Sequence, residues 1–209
     1  MSVLHQIAHF QNRRDEVPNQ QLARLLADTE DSVGIHEIAE NLWNKKPDIQ
    51  SDCIKVLYEI GYLKPELVAS YALDFIKLLR SRHNRLVWGG MIALSTIAEV
   101  AADELYPHAG EIQKVMQRGS VITVDNGVLA LARLAASNDT RNREIFPYLL
   151  EHLRTCRPKD VPQHAEKTLV AVNADNQSAF VGVLEKRMGD MTGSQIARLK
   201  KVIKIAKMR

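Results

Sequence analysis

The chain has 209 residues, 45% of them hydrophobic, with 28 Lys+Arg against 25 Asp+Glu for a formal net charge of +3. That length admits one elongated domain or two small globular ones, and the near balance of charge excludes collagenous, disordered and strongly polyanion-binding classes. Two isolated cysteines, Cys53 and Cys156, are too few for a disulfide framework or a four-ligand zinc site, which points to a reducing, cytoplasmic setting.

In chain order, residues 1–14 carry no secretory leader and are read as an N-terminal capping helix. NQQLARLLADT from Asn19 and GIHEIAENLWNKK from Gly34 form the first helix pair. CIKVLYEIG from Cys53 is followed by PELVASYALDFIKLLRS from Pro65, and GMIALSTIA from Gly90 by DELYPHAGEIQKVMQRG from Asp103. The longest uncharged apolar stretch, Leu86 to Ala98, is well short of the roughly 20 residues that cross a bilayer. VITVDNGVLAL from Val121 has β-branched residues and an Asn-Gly pair, locally a hairpin signal. The repeat described below overrides it and places a helix from near Val124. GVLALARLA from Gly127 then pairs with TRNREIFPYLLEHLRTC from Thr140, and AEKTLVAVN from Ala165 with DNQSAFVGVLEKRMG from Asp175. Ser194 to Lys207 closes the chain as an unpaired helix.

The four core segments superimpose without gaps. Leu57, Leu94, Leu131 and Leu169 make one column, at offsets of 37, 37 and 38 residues, and Ile60, Ile97, Leu134 and Val172 make a second. A third column, Cys53, Gly90, Gly127 and Ala165, is small throughout and lies on the same helix face. Glycine inside a helix costs about 1 kcal/mol relative to alanine, so two in register imply close approach of a neighbouring helix. The expected repeats are 18–47, 48–82, 83–119, 120–157 and 158–189, with caps at 1–14 and 192–208.

A two-helix repeat of about 37 residues with this leucine, small-residue and aliphatic pattern resembles the HEAT and armadillo-like α-solenoid superfamily. The resemblance covers nearly the whole chain and implies an all-α, right-handed α-α superhelix of about five helix pairs with capping helices at both ends. It also implies that the leading helices line a concave binding surface, without naming a ligand.

The starts of those helices supply the candidate binding residues Arg85, Trp88, Asp125, Asn126, His164 and Lys167, with Trp88 and Asp125 equivalent by register. A tryptophan, an arginine and an acid suit a binding ridge; the plain alternative is that they pack and solvate helix edges. Trp88, Asp125 and Arg85 are similar in residue type, not in spacing, to the groove residues of HEAT-like alkylpurine DNA glycosylases. Lys186 to Arg209 holds eight basic residues and one acid, net +7, against −4 for the preceding 185 residues. In the last helix Arg198, Lys201 and Lys204 form a basic face that suits an anionic partner or a solvated cap.

His36 and Glu40 stand at i and i+4 but lack further ligands, His5 and His9 share a helix face near the start, and His108, His152 and His164 are scattered over different repeats, so no metal site or cofactor is expected. No histidine is read beside either cysteine by local spacing, and there is no phosphate loop or nucleophile elbow. The expected function is a non-catalytic scaffold for a protein or peptide partner. Nucleic-acid binding or DNA repair is the second reading and self-association the third.

Overall fold

The structure is a computed structural model that describes residues 2–209. Among the described residues all regular structure is helical, and the chain divides into two compact units, residues 1–127 and 128–209. Among the described residues no helix is long and apolar enough to cross a membrane.

The first unit contains α1 (Val17–Thr29), α2 (Ser32–Glu40), α3 (Pro47–Leu63), α4 (Ala72–Leu78), α5 (Asn84–Ile97), α6 (Ala102–Leu105), α7 (Ala109–Met116) and the start of α8 (Val121–Ala136). The leading helices α1, α3 and α5 pack in sequence, while α2 lies on α3 and α4 on α5. Helix starts follow sequence chemistry: Asp31 caps α2 by accepting from the Gly34 N–H at 2.9 Å, and Pro47 opens α3, where a missing N–H costs nothing.

The columns form the core. Cys53, Leu57, Ile60, Leu94 and Ile97 are all 0% exposed. The glycines are small because the trailing helix comes close: a Cβ on Gly90 would lie 3.1 Å from the Phe75 carbonyl oxygen, and one on Gly127 2.5 Å from Met116 Cγ. A second small position recurs at Gly61 and Ala98, 37 residues apart. A Cβ on Gly61 would lie 2.1 Å from Thr96 Oγ1, so α3 and α5 meet almost backbone to side chain there.

Three segments depart from expectation. In place of the capping helix expected over residues 1–14, the described residues 2–14 form two 3-10 turns, Leu4–Gln6 and Ala8–Gln11, because Ile7 between them is extended and Asn12 turns left-handed at φ 53°. They are held by polar anchors: Asn19 Oδ1 accepts from the Ala8 N–H at 2.9 Å, and Asp52 accepts from the His9 N–H at 2.7 Å and from Asn19 Nδ2 at 2.8 Å. The trailing segments from Pro65 and Asp103 are broken into 3-10 turns ahead of α4 and α7, the second around Pro107, whose ring removes a backbone donor. The Asn-Gly segment is helical, but α8 starts at Val121, three residues before the expected point. Ser120 Oγ caps it, accepting from the Thr123 N–H at 3.3 Å.

The second unit holds the rest of α8 with α9 (Asp139–Thr155), α10 (Val161–Thr168), α11 (Gln177–Arg187) and α12 (Gly193–Ala206). Leu131, Leu134 and Ala165 are 0% exposed, but the leucine column fails at Leu169. The α-helix stops at Thr168, and Leu169–Ala171 is a 3-10 turn that leaves Leu169 half-buried and buries Ala171 instead. Asn142 and Asn176 donate to the Ala171 carbonyl oxygen at 2.8 and 3.0 Å, satisfying the backbone that the break frees. The closing helix α12 starts with a Thr192–Gln195 capping box and buries Leu199, Val202, Ile203 and Ala206, packing on α10.

Candidate binding face

In the first unit, α3 and α5 bring three aromatic side chains together, from buried Tyr58 to exposed Tyr62. The Trp88 ring is half-buried and tilted against Tyr58, with centroids 6.5 Å apart, and Tyr58 meets Tyr62 edge-on at 6.1 Å. Tyr58 and Tyr62 are one helical turn apart, which aligns them on one side of α3. Tyr58 is 4% exposed, whereas Tyr62 is 57% exposed and offers its ring to solvent.

Lys55 organises the base of this group. Its Nζ lies 2.7 Å from both Glu16 Oε2 and Glu59 Oε1, and 4.9 Å above the Tyr58 ring. Burial pulls the Lys55 ammonium down, but hydrogen bonds with Glu16 and Glu59 outweigh it and hold the group above its ordinary range. Burial pushes the Tyr58 hydroxyl up to about 12, against the opposing pull of Lys55. The result is an aromatic group packed at Tyr58 and open at Tyr62, whose buried cation Lys55 is shared by two acids.

Of the sequence candidates, Trp88 is part of this face, but its near partners Tyr58 and Tyr62 are not among the residues expected. Tyr58 has the register position of Ser95, so the repeat itself conceals it; the Tyr-x-x-x-Tyr spacing is the signal that finds it. Arg85 is exposed and borders an open depression of about 560 Å³ with Arg13, Arg14, Asp48 and Asp52. Asp125 is half-buried. Asn126 serves structure, donating from Nδ2 to the Ile122 carbonyl at 2.8 Å and accepting from Ser95 Oγ at 3.4 Å, which ties α8 to α5.

In the second unit, Lys167 is half-buried and His164 is only 2% exposed, so the latter belongs to packing and not to an open face. Its Nδ1 lies 2.9 Å from His152 Nε2. Cys156, four residues after His152, completes a group whose ligand atoms all lie within 4.8 Å of one another. A histidine thus does stand beside a cysteine at i and i+4, contrary to the reading from local spacing. Burial pushes the Cys156 thiol up, with Arg187 acting the other way. Cys53 is fully buried, and burial raises its thiol further, which makes it inert.

The basic face of α12 is only partly open. Arg198 makes a two-pronged ion pair with Glu166, while Lys201 and Lys204 are exposed. Lys207 reaches Glu185 at 3.2 Å, Arg209 donates to the Leu169 carbonyl at 2.6 Å, and Arg187 donates to the carbonyls of Leu153, Arg154 and Cys156 at the end of α9. The first unit carries 13 basic and 17 acidic residues, net −4, and the second 15 and 8, net +7.

No protein family model and no curated protein sequence matches this chain. Solved structures do. A designed armadillo repeat protein in complex with the peptide (KR)4 superimposes with a TM-score of 0.71 at 13% identity, over 98% of this chain and 100% of that one. A second designed armadillo repeat protein gives 0.68 at 13% identity, over 97% and 99%. An engineered protein from a structural genomics consortium gives 0.69 at 17% identity, over 100% and 98%. With helices throughout, a 37-residue register and these structural likenesses, the fold of this chain is an armadillo/HEAT-like α-solenoid.

Proposed function

We propose that the chain is a non-catalytic scaffold that binds a peptide or a protein segment on the leading-helix face of its first unit. The observation that carries this reading is the Tyr58–Tyr62–Trp88 group beside the Glu16–Lys55–Glu59 ion pairs. Aromatic rings with a polar edge, held rigid by packing, supply contact area at little entropic cost. One protein of the same fold is a designed armadillo repeat protein in complex with a peptide, which agrees with this use. A cytosolic setting is part of the reading, and two unpaired cysteines fit it.

The test is a selection of peptide ligands from a displayed library, followed by titration of the purified chain. Trp88→Ala and Tyr62→Ala are expected to weaken the selected peptide by tenfold or more, about 1.4 kcal/mol or above, while Lys201→Ala leaves it unchanged. Binding indifferent to both aromatic substitutions would sink the proposal. The second reading, an anionic nucleic-acid partner, rests on the net +7 of the second unit. It gains the ground if short duplex DNA binds tightly, weakens steeply with salt, and depends on Lys201 and Lys204.

A further inference from the structure

We propose that His152, Cys156 and His164 form a binding site for a borderline-to-soft transition-metal ion of the Zn(II) class, with one coordination position left open to solvent. Two of the three ligands come from one face of α9: His152 and Cys156 are four residues apart, and Cys156 is the residue at which the chain leaves the helix in an extended conformation. The third comes from α10, where His164 is 2% exposed and fixed within the packing of the second unit. The two imidazoles present Nε2 of His152 and Nδ1 of His164 to each other at 2.9 Å, with ring centroids 4.8 Å apart.

The distances suit a small tetrahedral ion. Zn–N bonds of about 2.0–2.1 Å at the tetrahedral angle separate two nitrogens by about 3.3 Å, and a Zn–S bond of about 2.3 Å puts sulfur about 3.6 Å from nitrogen. The nitrogens need only part by a few tenths of an ångström, and the sulfur, already within 4.8 Å, closes by a side-chain rotation of Cys156. Two imidazoles and a thiolate select zinc-like ions over magnesium or calcium, which require oxygen ligands. Three protein ligands leave the fourth position to water.

Electrostatics permit the bound form. Binding converts the thiol to a thiolate and releases one proton to solvent, the proton that joins the two facing imidazole nitrogens moves to the other nitrogen of its ring so that both face the ion unprotonated, and the ion itself supplies the charge that removes the thiol proton despite the burial of the group. The Arg187 guanidinium donates to three carbonyl oxygens, including that of Cys156 at 2.8 Å, and its charge beside the Cys156 sulfur favours the thiolate that a metal ion requires. Asp160 is engaged by Arg157 at 2.7 Å.

The experiment uses the full chain, reduced and stripped of metal, titrated with Co(II) and with Zn(II) against a chromophoric chelator. The expected result is one equivalent of Zn(II) bound at about 1 μM or tighter, and a Co(II) complex with tetrahedral d–d bands and thiolate-to-cobalt charge-transfer absorption. Cys156→Ser should abolish the charge-transfer band, and His152→Ala should weaken Zn(II) by about tenfold or more, at least what loss of a supporting outer residue costs. Both residues are only part-buried, so circular dichroism will show both variants folded. His36→Ala, at the exposed His36–Glu40 pair, should change nothing. Absence of stoichiometric binding, or binding unaffected by both Cys156→Ser and His152→Ala, would overturn the proposal and leave the two histidines as a hydrogen-bonded pair.

Discussion

Replacing Gly61 by alanine tests the close contact between α3 and α5. In a helix interior the change alone is worth about 1 kcal/mol in favour of alanine. Here the new Cβ would fall 2.1 Å from Thr96 Oγ1 and 2.9 Å from Thr96 Cβ. Thr96 has little freedom to yield, because it is 5% exposed and its hydroxyl donates to the Ala93 carbonyl at 2.7 Å. Overpacking of this kind costs about 1–3 kcal/mol, and breaking the Thr96 hydrogen bond adds about 1 kcal/mol. The clash therefore wins, and Gly61→Ala should destabilise by about 1–3 kcal/mol. Gly182 in α11 is the internal control, since a Cβ there meets nothing within 4 Å; Gly182→Ala should stabilise by about 0.5–1 kcal/mol. Urea unfolding followed by circular dichroism reads both as shifts of midpoint at constant m. Adding Thr96→Ala to Gly61→Ala removes the nearest atom and should recover part of the loss. If Gly61→Ala stabilises as Gly182→Ala does, α3 and α5 do not meet as described and the small-residue columns lose their physical meaning.

Leu94→Ala, at a fully buried position of the leucine column, should cost about 2–5 kcal/mol, whereas Lys201→Ala on the surface should stay within about 0.5 kcal/mol; equal effects in denaturant titrations would break the register. Asp52→Ala leaves the His9 N–H and the Asn19 amide without their acceptor and should cost about 1–3 kcal/mol. Hydrogen exchange should then show lost protection of the Ala8 and His9 amides ahead of the rest of the chain, and unchanged protection there would mean that the 3-10 turns are held by apolar contacts alone.

The leucine and aliphatic columns are legible in the sequence because a solenoid repeats one environment at a fixed period, so Leu57, Leu94 and Leu131 report the same burial three times over. Leu169 shows where that logic stops. Its neighbours Asn142 and Asn176, themselves hydrogen-bonded, hold the chain out of the helix at Ala171 by donating to its carbonyl oxygen, and such a preference exists only in three dimensions. The Asn-Gly pair misleads in the opposite direction: a cap at Ser120 and a side-chain bond from Asn126 to Ile122 keep it helical against its local tendency. Tyr58 hides from a search for repetition because its register partner is serine. The His152–Cys156 spacing is visible one-dimensionally, but its third member lies across a turn on α10, and only packing brings it in.

Arg187 alters how the basic end of the chain would behave as a polyelectrolyte. Counted by residue, Lys186 to Arg209 carries eight cations, enough to displace counterions from nucleic acid with a slope of log affinity against log salt of about −7. Arg187, however, is spent on three backbone carbonyls, Arg198 and Lys207 on glutamates, and Arg209 on the Leu169 carbonyl. The exposed cations of this segment that lie outside those contacts are Lys186, Lys200, Lys201 and Lys204, which corresponds to a slope of about −3.6. A protein with half its terminal charge invested in closing its own helices is a far weaker competitor for phosphate backbones than its composition suggests.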